Sequence, residues 1–175
     1  MYTIRLKEIL LEKKFGPIEI GADLQYCKNC LGIPDDEAAF NGNQSAIRYG
    51  GFEFYFKKGK LEWFQNKHVL DDDFQFDRRF HFKNSNFQVS TWFQDFEEDL
   101  KLSKIQKFLK DNDINFNKKP FWDSIKLTIN RNVELMFLHN KLDSSSIRSK
   151  DGLQENYNLV NDEEMWKFAG FFVLS

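Results

Sequence analysis

The chain has 175 residues, a formal net charge of −2, 30% charged and 17% aromatic residues, and 20 Phe against 3 Pro. That length suits one well-buried core or two small fused ones, and the apolar content excludes a disordered chain. The slight acidic balance argues against a general nucleic-acid binder, and no apolar run approaches the roughly 20 residues a membrane helix needs.

At the start, Tyr2 and Ile4 alternate with Arg5, Lys7 and Glu8, which is unlike the apolar stretch of a secretory signal, so a cytoplasmic protein is expected. A first helix is predicted over 4–15, with Thr3 as its cap and Gly16-Pro17 as its stop. A second runs over 22–31, placing Leu24, Cys27 and Leu31 on one stripe, and Gly32-Ile33-Pro34 ends it. Residues 35–44 read as a polar loop. The period then changes from 3.6 to 2: a strand over 46–49, a bulge or turn at Gly50-Gly51, and Phe52, Phe54 and Phe56 alternating with Glu53 and Tyr55. Lys57-Lys58-Gly59-Lys60 makes a hairpin connection that should pair 56 with 61 and 55 with 62. In that register Leu61 and Trp63 join the Phe face, while Glu62 and Phe64 join Glu53 and Tyr55 on the other.

Further on, Phe80 and Phe82 alternate with Arg79 and His81, Asn84-Ser85-Asn86 turns the chain, and Phe87, Val89, Thr91 and Phe93 oppose Gln88, Ser90 and Trp92. Ser103 should cap a helix over 104–111 that buries Ile105, Phe108 and Leu109. Strands are predicted over 125–129 and 133–138, joined by Asn130-Arg131-Asn132. A polar loop over 144–156 and a last strand over 167–174 complete the chain.

The helix-then-hairpin order occurs twice. Leu24 lies over Ile105, Gln25 over Gln106, Phe52 over Val133, Glu53 over Glu134, Phe56 over Phe137 and Lys60-Leu61-Glu62 over Lys141-Leu142-Asp143, an offset of 81. The expected fold is α+β, two tandem helix-plus-antiparallel-sheet modules forming one curved sheet with helices on one face. Residues 1–100 would hold the first module with its intervening strands and 101–175 the second, together one pseudo-duplicated domain.

Chemistry is sparse in the pattern. No glycine-rich phosphate loop is present, Asp71-Asp72-Asp73 lacks the alternating ligands of a calcium loop, and His68, His81 and His139 neighbour no nucleophile motif. Cys27 and Cys30 stand at C-x-x-C spacing without a second pair; burial on a helix face, half a metal site and redox chemistry are the open readings. No metal, cofactor or catalytic residue is expected. One constellation remains: Glu53, Tyr55, Glu62 and Phe64 in the first hairpin, Glu134, Met136 and Asp143 in the second, and Trp92 between them, on the face opposite the Phe stripe. Aromatic and Met anchors on an open sheet face, with acidic groups to steer a basic partner, make a protein-binding surface.

The run Ile20-Gly21, Leu31-Gly32-Ile33-Pro34-Asp35-Asp36, Arg48-Tyr49-Gly50-Gly51-Phe52-Glu53-Phe54-Tyr55-Phe56 and Gly59-Lys60-Leu61 resembles the module of the outer-membrane assembly lipoproteins. Two such modules in tandem are similar to the beta-lactamase inhibitory protein family. What the resemblance implies is a small cytosolic immunity or inhibitor protein that neutralises one protein partner, a toxin domain with a basic cleft, without enzymatic activity. The rival expectation is a small redox or ligand-binding protein using Cys27 and Cys30 or an apolar cavity.

Overall fold

The computed structural model describes residues 1–66, 82–90, 101–121, 124–139 and 166–175. It is mixed α/β, mostly sheet with few helices. Two compact units divide the chain: Met1–Gln94 with Phe171–Ser175, and Asp95–Gly170. Trp92, Asp143, His68, His81, the acidic triplet at 71–73 and the polar loop over 144–156 lie outside the described residues.

The first unit opens with strand β1 (Tyr2–Arg5), helix α1 (Leu6–Glu12) and the short hairpin β2 (Lys14–Phe15) and β3 (Ile18–Glu19). The single helix expected over 4–15 is thus three elements. Lys13 takes a left-handed conformation (φ 58°) and its N–H returns to Ile9 O at 2.9 Å, closing the helix early. Gly16-Pro17 then serves as the hairpin turn, with Gly16 at φ 59°, and not as the helix stop. The reward is burial: Phe15 enters the core and meets Phe52, Phe54, Phe64 and Phe87 at ring-centroid distances of 4.9 to 5.9 Å, mostly edge to face.

Helix α2 (Leu24–Leu31) buries Cys27 and Leu31 and ends at Gly32, whose φ of 91° favours glycine. Its last carbonyls find side-chain donors. Asn86 donates to Cys30 O, Asn84 to Leu31 O and Tyr49 OH to Gly32 O. Both asparagines come from the turn between β8 (Phe82–Lys83) and β9 (Phe87–Ser90), and β9 pairs in parallel with β1.

The larger sheet of this unit runs β4-β5-β6-β7 and then the end of the last strand. Its members are β4 (Asp36–Phe40), β5 (Gln44–Tyr49), β6 (Phe52–Lys57) and β7 (Lys60–Asn66), with Phe171 to Leu174 pairing along β7. The supposed loop over 35–44 therefore contains a strand. All five β4 residues are exposed, so no alternation marks it in sequence. Tyr49, Ile47, Phe52, Phe54, Phe56, Leu61 and Phe64 form the buried side.

In the second unit, α3 (Leu102–Asp111) is followed by β10 (Phe116–Phe121), β11 (Ser124–Ile129), β12 (Val133–His139) and β13 (Trp166–Leu174), in that sheet order. Its N-cap is Lys101 and not Ser103, and it buries Leu102, Ile105, Gln106 and Leu109, while Phe108 is half-buried.

The registers of the two meanders correspond. Adding 81 to β4 and β6 and 80 to β5 carries the pairs Phe40↔Gln44, Ser45↔Phe56 and Tyr49↔Phe52 onto Phe121↔Ser124, Ile125↔Phe137 and Ile129↔Val133. One connection is a residue shorter and the next a residue longer in the second unit, which accounts for the alternating offset. The helices obey a different shift. Asp23 and Lys101 are the two N-caps, 78 apart, and the buried Leu31 then corresponds to Leu109. An offset of 81 would set exposed Gln25 over buried Gln106, so the helical match of Leu24 with Ile105 is corrected to Leu24 with Leu102.

Candidate functional site

The face of the first unit turned away from its Phe core is set by one irregularity. Lys58 (φ 52°) and Gly59 (φ 77°) are both left-handed, as a two-residue type I′ turn requires, and the hairpin closes at Lys57↔Lys60 and Phe56↔Leu61. Glu62 is then an extra residue. Pairing resumes at Tyr55↔Trp63, Phe54↔Phe64 and Glu53↔Gln65. This is a β-bulge, and it reverses the expected sidedness of β7 beyond Glu62: the register is 55 with 63, not 55 with 62.

On its other edge the start of β7 is bonded to the segment before α2. Leu61 N–H donates to Ala22 O at 2.9 Å, Leu61 O accepts from Gly21 N at 2.8 Å, and Leu24 N donates to Gly59 O at 2.9 Å. An ion pair between Lys60 and Asp23 at 2.8 Å joins the same edges.

Phe64 is accordingly a core residue, 1% exposed and packed against Phe15, Phe54 and Phe171. Its expected place on the open face is overturned by the bulge. Trp63 stands there instead, its ring stacked on Tyr55 at 3.7 Å and 6°. Across the strands the registers line up Ala38, Ala46, Tyr55, Trp63 and Leu174 in one row, and Asp36, Arg48, Glu53, Gln65 and Phe172 in the next. Tyr55 and Trp63 remain half-exposed.

The acidic residues do not behave as free surface charges. Glu53 is only 8% exposed, and its Oε2 accepts from Tyr55 OH at 2.8 Å and from Gln65 Nε2 at 2.7 Å. Burial first, and then the bond to Glu53 and its charge, push the Tyr55 phenol up to about 12. Glu62 lies 3.7 Å from Lys57 Nζ. In the second unit Glu134 holds Lys126 at 2.9 Å, and that ammonium also sits 4.7 Å above the Phe121 ring. Met136, opposite Lys126, is half-buried on that same side of β12. The expectation of an acidic face is therefore corrected among the described residues: its carboxylates are locally bonded, and the surface is aromatic and polar.

Trp63, Gln65, Phe172 and Lys126 are site residues that the sequence pattern does not single out. A bulge has no residue signature of its own: the turn, read as two residues or as four, gives the same 56 with 61 pair, and nothing in the pattern marks the surplus residue at 62. Cys27 is fully buried, and burial pushes its thiol up to about 12, with the neighbouring Cys30 adding to the effect. Such a thiol is a poor nucleophile. No group of three or more His, Cys, Asp or Glu side chains suited to a metal occurs among the described residues, and none of their helices is long and apolar enough to cross a membrane. No family model, curated protein or solved structure matches the chain.

Proposed function

We propose that this chain is a non-enzymatic binding protein of the immunity or inhibitor kind, acting in the cytoplasm by capping a toxin-like protein partner with the Tyr55–Trp63 face. The observation that carries the reading is the stacked pair itself. Two large amphipathic rings are held half-exposed on a sheet, above a Glu53–Gln65 pair that locks the Tyr55 hydroxyl in place. Rigid aromatic groups of this kind lose little entropy on binding and commonly anchor interfaces. Because the nearby carboxylates are already bonded, the contact is aromatic and hydrogen-bonding in character, with long-range charge steering a minor contributor.

The two meanders, with corresponding registers and matched N-caps, are on this reading tandem copies of one helix-plus-sheet module. The functional difference between them is that the first carries Tyr55 and Trp63 where the second has Met136 in the Tyr55 position.

The test is co-expression with the product of the neighbouring gene. Protection of the cells and co-purification of the two proteins are expected, and Trp63→Ala should weaken both while leaving the fold intact, since a cross-strand aromatic pair contributes only about 1 kcal/mol to stability. A neighbour that neither binds nor harms cells, or protection unaffected by Trp63→Ala, contradicts the proposal.

A further inference from the structure

Strand β4 ends the sheet of the first unit. Among the described residues it pairs only with β5, and Asp36, Glu37, Ala38, Ala39 and Phe40 are all exposed. Arg48 turns its carbonyl toward this side of β5, where it accepts from Asp35 N at 2.8 Å. Antiparallel alternation then directs the backbone groups of Asp36, Ala38 and Phe40 to β5, and those of Glu37 and Ala39 to the free edge.

The corresponding strand of the second unit is treated differently. By the register equivalence above, Glu37, Ala38 and Ala39 become Lys118, Lys119 and Pro120 of β10. Lysines and a proline are what sheets use to blunt an open edge, and Pro120 occupies the position whose N–H would otherwise face outward. The fold thus closes one edge and leaves its counterpart open, with two alanines at the centre.

We infer that β4 pairs with β4 of a second copy of this chain, antiparallel about a two-fold axis at Ala38. The five residues are self-complementary in that arrangement. Glu37 faces Ala39 of the second copy in a pair that exchanges both backbone bonds, Ala38 faces Ala38, and Asp36 faces Phe40, so no like charges stand directly opposite. The two Glu37 side chains become diagonal neighbours, and each is already neutralised by Lys28 at 2.5 Å. Phe40, 49% exposed in one copy, gains cover. The Ala46–Ala38 row continues into its mate, with a Tyr55–Trp63 pair on either side. Five-residue strands make a small interface, so the dimer is concentration-dependent and not obligate. The inference is independent of the binding function proposed for the Tyr55–Trp63 face.

Sedimentation equilibrium of the full chain tests it, with Ala39→Pro as the variant. This substitution places at 39 what the second unit already accepts at Pro120, removes an outward N–H and leaves the β4–β5 bonds in place. A monomer–dimer equilibrium is expected for the natural chain and its loss for Ala39→Pro. Ala38→Cys in a Cys30→Ser background gives a second readout that does not depend on tolerating proline: the two 38 positions fall within disulfide reach across the axis, so oxidation should yield a covalent dimer. A chain that is monomeric at every concentration and fails to cross-link at 38 overturns the inference. So does a dimer indifferent to Ala39→Pro, or a β4 edge occupied only by a strand of another protein.

Discussion

Trp63 and Phe64 are adjacent in sequence and have exchanged the sides that simple alternation assigns them. The aromatic identity of both was legible, and so was the hairpin at Lys58-Gly59; which ring would be core and which surface was not, because the surplus residue at Glu62 leaves no mark in the alternation. Alternation does put Tyr55 on the outer face, yet it reads the Glu53 carboxylate beneath that ring as a steering charge, whereas the carboxylate fixes the ring's geometry. The Tyr55 phenol gives a pH test of that bond. Its folded pKa is raised from 10.0 to about 12, so the bond's stabilisation is complete below the unfolded value and is lost as pH rises from there through the folded one. Tyr55→Phe should cost about 1 kcal/mol at neutral pH, with the gap to the natural protein closing across that alkaline window when urea midpoints are compared. A gap that stays constant through the window would mean that the phenol and the carboxylate do not share a proton-dependent bond.

At the scale of elements, strongly periodic segments were readable and exposed or irregular ones were not. The Phe52, Phe54, Phe56 alternation and the strands around Asn130-Arg131-Asn132 come directly from period-two patterning. β4 escaped because an edge strand exposed on both faces has no apolar side to betray it, and the early break of the first helix escaped because Leu6, Ile9 and Leu10 keep helical spacing up to the point where Lys13 turns left-handed. The bulge in β7 is the element on which the site depends. Deleting Glu62 removes the surplus residue and lets the ladder run Phe56↔Leu61, Tyr55↔Trp63, Phe54↔Phe64 without interruption, so Trp63 keeps its outer side and Phe64 the core. In urea unfolding the deletion should therefore cost about 1 kcal/mol or less, as should Glu62→Ala, whereas a Phe64 driven out of the core would cost about 3 kcal/mol or more. A deletion that costs that much while Glu62→Ala costs little would show that Glu62 is not surplus to the register.

On the scale of the molecule, the likeness of the two halves reads in sequence as a single offset, whereas the corresponding positions of the two units are 78 apart for the helix caps and 80 and 81 apart for the strands. Single-residue exchanges between loops are invisible to a fixed offset, and the helix aligned out of phase because Gln25 and Gln106 coincide by identity and not by burial. The two units also differ at their edges and outer faces, which is where recognition is expected to differ while the packed sides stay alike. The account rests on Tyr55 and Trp63 as the contact with a protein partner, and dissociation kinetics of the complex with the neighbouring gene's product address it most directly. Tyr55→Ala and Trp63→Ala, each confirmed folded, should speed dissociation about tenfold or more, about 1.4 kcal/mol each, with association rates nearly unchanged; dissociation rates equal to that of the natural chain would contradict the account.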